Sequence, residues 1–479
     1  MRVLLTTEGT YPYARGGVST WADALVRGLS HHHFHVVAVV ANPHVALSYQ
    51  LPGNVTLSPV PLWGAERVTE YLPRTKSTHL GARTTPRAIG RQFLPLVDRL
   101  VEELLVADAD AVGVGECITG IATFCANYDL RTALRDKRVW GIVVRRLGQH
   151  PLFRHRSVAG AAELARSLYR YLMPLALPIA PVDVAHSSAA AICSLPALAA
   201  RVRDGTPLVV SEHGIYLRER ILEIIRTDAS TLHKVLFGNL FRGIAQAVYT
   251  HADRVVPVCT YNTIWERQLA VSPDKLRVIH NGVDARRFSP AKPATERPTV
   301  AFVGRIDPLK DVLGLISAAA IVRDAVPDVL FRLYGSDSDG TYGRRCRAAA
   351  LAAGLADAVH FEGPTSDVAA AYRDSDVVVL SSVSEGFPFT VVEAMMAARP
   401  VVATRVGGVP EALGDARLLV PPQRPDALAA ALIDVLQMEP AQRWALGSSL
   451  RLRAEQTYSE RRFLDSYAAL YDEVGDLAS

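Results

Sequence analysis

The chain has 479 residues, which is too long for one ordinary core and favours two or three domains. Hydrophobic residues make up 49% of it and charged residues 21%, a globular composition that excludes a disordered chain. The formal net charge is +4, so bulk charge gives no support for nucleic-acid binding.

Five scattered cysteines include no C-x-x-C pair. This odd, sparse set argues against a disulfide framework or a zinc site and is typical of a reducing cytoplasm. The first residues, MRVLLTTEG, lack the pattern of a signal peptide. The longest apolar stretch beside a helix begins at Leu172, contains three prolines and is too short to span a bilayer. We expect a soluble cytoplasmic protein, which could still lie on a membrane surface.

The first forty residues have the pattern of a β-α-β unit. Apolar runs at residues 3–6 and 35–41 flank a glycine-bearing loop and a helical pattern at residues 18–29. Such continuous apolar runs are typical of buried parallel strands. Residues 64–180 are less regular, mostly helical and rich in arginine. They predict a helical insertion.

Strand and helix patterns alternate again after the insertion, and a proline-rich charged stretch at 290–298 predicts a linker between domains 1–290 and 298–456. The remaining strands are predicted at 182–186, 207–212, 254–258, 276–280, 299–304, 329–335, 358–362, 376–381, 400–404 and 417–420. The alternation predicts an α/β protein with two doubly wound parallel sheets. Such sheets bind ligands at the carboxyl ends of their strands, so two facing sheets would form a cleft.

The first loop carries two adjacent glycines, Gly16 and Gly17, where a helix begins. Glycines let backbone approach a ligand closely, and a helix N-terminus offers N–H groups to an anion. The G-x-G-x-x-G fingerprint is absent, as is an acidic residue at the end of the second strand, which disfavours a nicotinamide cofactor. A plain tight turn is the alternative.

Two cations, Arg305 and Lys310, follow the first strand of the second domain in FVGRIDPLKDV. Cations at the carboxyl end of a strand are suited to a diphosphate, which carries two charges and needs several donors. The alternative is a solvated helix start, where the local dipole disfavours basic residues.

Two carboxylates, Glu385 and Glu393, lie seven residues apart in SEGFPFTVVEAMMAARPVVATRVGGVPE. A carboxylate can accept hydrogen bonds from two neighbouring hydroxyls, so one would suit a ribose and the other a hexose. The backbone of Gly386 and the N–H groups of residues 389–391 can face phosphate or sugar oxygens. Solvated carboxylates at a helix start are one alternative, and a glycoside hydrolase pair is another. Simple hydrolysis has no use for the cationic loop, which makes the hydrolase weaker.

The R-x4-K and E-x7-E motifs resemble glycosyltransferase family 4, retaining enzymes of the GT-B fold. The resemblance covers essentially the whole chain. Within it, EGTYPYARGGVSTW and SEHGIYLRER resemble the PelF-like branch, cytoplasmic transferases that help to build exopolysaccharide.

The resemblance implies a role for each motif residue. Arg305 and Lys310 would hold the donor diphosphate, Glu393 the ribose, and Glu385 would face the transferred sugar. His186, in VDVAHSS, would lie beside that sugar, although a lone histidine after an apolar strand is more often a core residue. Together these predict His186, Glu385, Arg305 and Lys310 as catalytic. The donor-binding set also includes Gly16, Gly17, Gly335, Gly363, Gly386, Phe387, Phe389, Thr390, Val391 and Glu393.

A second group of residues is predicted on the acceptor side. Glu212 and His213 end a predicted strand, and Tyr216 follows them. Tyr11, Tyr13 and Arg15, in the first loop, are also predicted on the acceptor side, because aromatic and guanidinium groups commonly line sugar sites. For these three, ordinary loop packing is the alternative.

The resemblance thus implies hexose transfer with retention from a nucleotide sugar, with uridine favoured, to a glycan or small-molecule acceptor. No D-x-D-like pair lies at a strand end, so we expect no metal and no other cofactor; the cations would stabilise the departing phosphate. The alternatives are a sugar-nucleotide epimerase, a phosphorylase, or a non-catalytic partner protein of the same fold.

Two segments carry further expectations. Residues 459–477 should form a helix that returns to the first domain, since its apolar positions recur every three or four residues. Residues 131–170 contain ten basic and two acidic residues, with Trp140, Leu147, Leu152 and Phe153 among them. They could contact a partner or an anionic membrane. A solvated insertion is the alternative.

Overall fold

The structure, a computed structural model, describes residues 1–42, 44–63, 74–106, 110–151, 158–214, 216–290, 297–337 and 340–476. The chain forms two compact units. Unit 1 comprises residues 1–257, 264–277 and those from Tyr467 onward, and unit 2 comprises 258–263 and 278–466. Gly64, Leu152, Phe153, Leu477 and most of the 290–298 stretch, which entered the expectations above, lie outside the described residues.

Unit 1 is built on a six-stranded parallel sheet with the order β3-β2-β1-β4-β5-β6. The strands are β1 Arg2–Glu8, β2 His33–Val40, β3 Val55–Pro61, β4 Val184–Ser187, β5 Leu208–Glu212 and β6 Arg254–Pro257. The helices are α1 Gly17–Gly28, α2 Arg74–Arg83, α3 Pro86–Ala88, α4 Leu94–Leu105, α5 Ala111–Cys125, α6 Leu130–Leu134, α7 Lys137–Gln149, α8 Val158–Leu172, α9 Leu195–Asp204, α10 Tyr216–Arg226, α11 Thr231–His251 and α12 Thr263–Gln268. Helices α2 to α8 lie between β3 and β4, in the part of the chain for which the sequence predicts a helical insertion.

Unit 2 contains a second six-stranded parallel sheet with the order β12-β11-β10-β7-β8-β9. Its strands are β7 Thr299–Val303, β8 Leu330–Tyr334, β9 Val359–Gly363, β10 Val377–Leu380, β11 Val401–Thr404 and β12 Leu419–Val420. Its helices are α13 Val312–Ala325, α14 Thr341–Ala352, α15 Val368–Arg373, α16 Phe389–Met396, α17 Val409–Leu413, α18 Pro425–Leu436, α19 Pro440–Thr457 and the start of α20 Glu460–Asp476. The central strands are buried along their length, which explains their continuous apolar runs.

Each sheet has one point where the strand order reverses. In unit 1 it lies between β1 and β4, and in unit 2 between β7 and β10. Ligands of doubly wound sheets bind outside the carboxyl ends of the strands at this point. In unit 2, the loops that leave it are those with Arg305, Lys310 and Glu385.

Three strand expectations require correction. Residues 276–280 form only an isolated bridge, Leu276 to Val255, because the chain passes there from unit 1 to unit 2. The last strand is two residues long, since a short 3-10 turn occupies Ala416–Leu418. Strand β3 was missed because two prolines interrupt its apolar pattern, which an edge strand tolerates.

Helix α20 divides between the two units: its residues from Tyr467 onward cluster with unit 1. In this half Tyr467, Leu470 and Val474 are fully buried, as the three-and-four spacing requires. The hydroxyl of Tyr467 contacts both Ser211 and Trp21. The second half of α20 is therefore part of the core of unit 1.

Candidate donor site in unit 2 and buried polar cluster in unit 1

The loop after β7 carries both predicted phosphate-binding cations. Asp307 holds its shape: one carboxylate oxygen accepts hydrogen bonds from the N–H groups of Leu309 and Lys310. The other oxygen of Asp307 pairs with Arg305 over 3.0 Å. The Arg305 side chain remains 63% exposed, whereas that of Lys310 is 19% exposed. The loop thus presents one open guanidinium and one sheltered ammonium.

The loop after β10 is bonded directly to this cationic loop. Lys310 Nζ donates to Glu385 Oε1 over 2.5 Å, and the hydroxyl of Ser382 donates to the same oxygen. The hydroxyl of Ser381 donates to the carbonyl of Lys310, and Val383 N–H to the carbonyl of Leu309. The structure therefore brings the predicted phosphate-binding lysine and the predicted sugar-facing carboxylate into contact.

Glycines make close approaches between these loops. A Cβ on Gly335 would lie 1.7 Å from the carbonyl oxygen of Gly304, so a larger residue cannot stand there without movement. Gly335 N–H donates to the carbonyl of Gly363, which joins two of the glycines in the predicted donor-binding set. Gly407, at φ +53°, would place a Cβ 1.9 Å from the carbonyl oxygen of Glu385. Sequence reasoning missed Gly407, although its G-G pair was a visible signal.

Glu393 lies in the first turns of α16, and its Oε2 accepts a hydrogen bond from Tyr372 over 2.8 Å. Burial raises the pKa of Glu393, while the hydrogen bond from Tyr372 and the charge of Arg287 lower it. The Thr390 hydroxyl donates to the carbonyl of Val303, the last residue of β7. The expected ribose carboxylate is thus close to the strand that leads to the cations.

Some predicted donor-site residues are occupied by internal packing. The ring of Phe387 is buried against those of His280 and Tyr458, so this side chain belongs to the core. The side chain of Val391 is fully buried, and its N–H donates to the carbonyl of Pro388, so a ligand-facing N–H at this residue is wrong for this structure. The prediction for the backbone of Gly386, Phe389 and Thr390 stays a prediction.

In unit 1, the glycine loop is open. Gly16 is exposed with an extended backbone, and a Cβ there would meet nothing within 4 Å. Helix α1 begins at Gly17. Tyr11, in contrast, is fully buried with its ring against that of Tyr49. This contact favours the alternative of loop packing over an acceptor-side role for Tyr11. Tyr13 is half-buried and Arg15 is exposed, and for these two the acceptor-side role stays a prediction.

His186 is a core residue in this structure. It is fully buried, and its two ring nitrogens contact the hydroxyls of Tyr471 over 2.7 Å and Ser211 over 2.8 Å. Burial, with a smaller effect from His213, lowers the pKa of His186 to about 3, so the ring is neutral. Both nitrogens have internal partners, which corrects the expectation of a sugar-facing histidine.

Glu212 and Tyr216, two of the residues predicted on the acceptor side, form hydrogen bonds in a buried polar cluster. Glu212 Oε1 accepts hydrogen bonds from Ala190 N–H and the Tyr249 hydroxyl, and burial raises its pKa to about 7. The Tyr216 hydroxyl donates to Glu8 Oε1 over 2.9 Å. His213 packs against the ring of Trp21, and burial lowers its pKa to about 3.

Two acidic residues of this cluster were missed in the sequence. Glu8 ends β1 just as Glu212 ends β5, so its position was a usable signal. Burial raises the pKa of the Glu8 carboxyl. Glu266 had no such signal, because it lies within α12. Burial and the charge of Glu212 raise the pKa of Glu266 to about 8.

Three arginines of the 131–170 stretch pair with acidic residues, and two of the three acidic residues lie outside the stretch. Arg145 and Arg146 contact Asp98, and Arg146 also contacts Glu102. Arg138 pairs with Asp136. A count of charges within the stretch does not include Asp98 and Glu102, which lie on α4.

Within the described part of the chain, no three His, Cys, Asp or Glu side chains are grouped to hold a metal ion. Nor does any helix of those residues have the length and apolar character needed to cross a bilayer.

Comparison with solved structures agrees with this architecture over the whole chain. Sucrose-phosphate synthase from Thermosynechococcus elongatus matches with a TM-score of 0.62 and 18% identity, covering 100% of this chain and 99% of that one. The Anabaena Alr3699/HepE structure with UDP and glucose matches with a TM-score of 0.60 and 14% identity over 98% and 99%. WaaG, a glycosyltransferase involved in lipopolysaccharide biosynthesis, matches with a TM-score of 0.57 and 14% identity over 100% of both. The predicted fold class is confirmed: this is a GT-B fold.

Sequence comparison assigns the two halves separately. Residues 1–274 match the family described as "Domain of unknown function (DUF3492)", and the chain belongs to that family. Residues 297–438 match "Glycosyl transferases group 1", so the second half contains a domain of that group. The PelF-like branch is not established by either match.

Curated relatives match part of the chain. A D-inositol 3-phosphate glycosyltransferase from Saccharomonospora viridis is 33% identical over 57% of this chain and 66% of its own length. One from Mycolicibacterium gilvum is 36% identical over 41% and 47%. An MMP alpha-(1->4)-mannosyltransferase from Mycolicibacterium hassiacum is 28% identical over 61% and 71%. The chain spans about half to two thirds of the length of the first two of these relatives.

Proposed function

We propose that the protein is a glycosyltransferase that transfers a hexose from a nucleotide diphosphate sugar to a glycan or small-molecule acceptor. One observation carries the proposal: Lys310 is hydrogen-bonded to Glu385 where the strand order of unit 2 reverses, and Arg305 lies on the same loop as Lys310. This is the position where doubly wound sheets bind nucleotides. The group 1 domain over residues 297–438 supports it.

In this proposal Arg305 and Lys310 hold the diphosphate and stabilise the charge that grows on it as the glycosidic bond breaks. Glu385 accepts hydrogen bonds from hydroxyls of the transferred sugar, and Glu393 accepts those of the ribose. The two cations supply the positive charge that the leaving group requires, so the proposal includes no metal or other cofactor. His186 is left out of the reacting groups because its nitrogens are occupied.

The finer parts of the proposal come from the resemblance to family 4 and from the relatives. We propose a uridine donor because the Anabaena protein also has a structure in complex with UDP-glucose. Retention of configuration and a PelF-like role in exopolysaccharide follow from the resemblance. For the Arg131–Arg170 stretch, the ion pairs on α4 favour the solvated insertion over membrane contact.

The experiment uses isothermal titration with UDP-glucose, UDP-galactose, GDP-mannose and ADP-glucose, followed by release of the nucleoside diphosphate in the presence of glycan acceptors. The parent protein should bind one donor, and Lys310→Ala should weaken that binding. Arg305→Ala should weaken binding likewise, and Arg417→Ala is its matched control, because Arg417, like Arg305, is an exposed arginine paired with an aspartate two residues away. Absence of binding to all four donors, or equal binding by Lys310→Ala, would overturn the proposal.

A further inference from the structure

Tyr372 holds the carboxylate of Glu393 from the buried side. The tyrosine lies on α15 and is fully buried, and its hydroxyl donates to Glu393 Oε2 over 2.8 Å. In the described part of the chain, this is the one hydrogen bond found on the Glu393 side chain. The contact therefore fixes one carboxylate oxygen and leaves the other for a further donor.

The same hydroxyl is linked to the strand that leads to the cationic loop. Thr390, one turn before Glu393 on α16, contacts the Tyr372 hydroxyl and donates to the carbonyl of Val303 over 3.1 Å. Val303 ends β7. A path of polar contacts thus connects Glu393 with the backbone just before Arg305, and in a nucleotide the ribose and the diphosphate are likewise adjacent.

The tyrosine can act only as a hydrogen-bond donor toward Glu393. Burial raises the pKa of the Tyr372 phenol well above its ordinary value, and the negative charge of Glu393 raises it further. The phenol therefore keeps its proton and donates a hydrogen bond to the carboxylate. A carboxylate held in this way loses less side-chain freedom when a ligand binds.

We propose that Tyr372 is a positioning residue for nucleotide recognition, which orients Glu393 so that its second oxygen accepts the ribose hydroxyls of a nucleoside diphosphate. This inference rests on the proposed function, because it requires a nucleotide donor in unit 2. The structural alternative is a core tyrosine whose hydroxyl merely needs an acceptor. Only the first role makes the effect of Tyr372 depend on the ribose hydroxyls.

The test is isothermal titration of the full chain with UDP, GDP and ADP, and then with the 2′,3′-dideoxy form of whichever binds most tightly. The parent should prefer the ribonucleotide by about tenfold or more, since a site built to accept hydrogen bonds from hydroxyls rejects the analogue that lacks them. Tyr372→Phe should weaken ribonucleotide binding by about threefold to tenfold and leave dideoxynucleotide binding unchanged. Unchanged dideoxynucleotide binding also shows that the variant is folded.

Tyr458→Phe is the matched control. Tyr458 is a buried tyrosine of the same unit whose hydroxyl donates to the backbone carbonyl of Glu411 over 2.8 Å. It should leave the preference for the ribonucleotide intact. Glu393→Asp, which withdraws the carboxylate from Tyr372 by one methylene, should reduce that preference and is the second variant if Tyr372→Phe does not fold.

Three outcomes overturn the inference, and they are distinguishable. A parent protein that binds none of the three nucleotides removes the proposed function as well. Equal losses for ribonucleotide and dideoxynucleotide in Tyr372→Phe show a purely structural role and leave the proposed function standing. An intact preference in both Tyr372→Phe and Glu393→Asp shows that this contact does not serve the ribose.

Discussion

Lys310 Nζ and Glu385 Oε1 form a hydrogen-bonded ion pair of 2.5 Å between the loops after β7 and β10. Neither side chain is fully exposed, so water screens the pair only in part. The proposed function gives these residues different ligands, diphosphate for Lys310 and sugar for Glu385. On donor binding, the ammonium group of Lys310 would then contact phosphate oxygens either in addition to the Glu385 carboxylate or in its place.

The first prediction follows from this competition. Glu385→Gln removes the charge that competes for Lys310, so UDP should bind about threefold to tenfold more tightly, as expected for the loss of a partly screened pair worth about 1 kcal/mol. Hexose transfer should nevertheless fall, because the amide is a poorer acceptor for sugar hydroxyls. Titration with UDP and turnover measurements check both effects.

Glu362→Gln is the control for this prediction, because Glu362 pairs with Arg332 over 2.7 Å in the same unit and is not part of the proposed site. It should leave UDP affinity and turnover unchanged. If Glu385→Gln weakens UDP binding as much as Lys310→Ala does, the pair supports the phosphate site and does not compete with it.

The second prediction concerns the two cations as one diphosphate clamp. Arg305→Ala and Lys310→Ala should each slow transfer by about a hundredfold or more, the usual cost of losing one donor to a developing charge. The double variant should cost less than the sum, because the two cations share one ligand. Turnover of the singles and the double, with circular dichroism to confirm folding, provides the measurement. Two singles that bind and turn over donor like the parent would refute the clamp and the transferase assignment.

The third prediction separates two kinds of glycine. Gly335→Ala must move backbone, since the added Cβ would lie 1.7 Å from the carbonyl oxygen of Gly304, so its melting temperature should fall. In Gly16→Ala the added Cβ would have no atom within 4 Å, and the backbone at this residue is extended, which any residue can adopt. The melting temperature of this variant should therefore stay unchanged. If Gly16 serves close approach of the donor or acceptor, Gly16→Ala should still slow transfer. Parent-like turnover in Gly16→Ala would leave this glycine without a role in the site.

Much of the fold was predictable because buried parallel strands leave continuous apolar runs. Placing Arg305 and Glu385 after two such runs was enough to predict the carboxyl edge of the sheet. Strand order was not predictable from that pattern, and it is the order that makes β7 and β10 neighbours. Nor did the sequence reveal that His186 is enclosed by Tyr471 and Ser211, since those residues are distant along the chain. Side-chain partners of this kind leave no local periodicity.

The fourth prediction concerns the basic stretch at residues 131–170. Because Arg138, Arg145 and Arg146 already pair with carboxylates, we expect no added binding to vesicles that contain anionic lipid. Flotation with neutral and with anionic vesicles, at low and at high salt, is the measurement. Recovery with the anionic vesicles alone, lost at high salt, would restore the membrane-surface alternative.

The fifth prediction uses the buried carboxyl of Glu266. Its Oε2 has no hydrogen-bond partner among the described residues, and burial together with the charge of Glu212 raises its pKa to about 8. The unfolded chain loses this proton near pH 4.5, whereas the folded chain keeps it up to about pH 8. Between these values the folded state binds more protons. The free energy of unfolding therefore decreases as pH rises from about 4.5 to about 8, by at most about 1.4 kcal/mol per pH unit for this group.

Glu266→Gln removes the ionisation and keeps the shape of the side chain. At pH 5 the variant and the parent should have similar free energies of unfolding, because the parent carboxyl is then mostly protonated in the folded state. At pH 9 the variant should be the more stable of the two, because the parent must hold a buried charge beside Glu212. Urea unfolding at pH 5, 7 and 9 measures the difference.

Glu116→Gln, at an exposed glutamate of the same unit, is the control, and its free energy of unfolding should vary with pH in parallel with that of the parent. If the free energy of unfolding of Glu266→Gln also varies with pH in parallel with that of the parent, Glu266 does not hold its proton through neutral pH. The negative charges of Glu212 and Glu266 are then accommodated by water or by movement of α12.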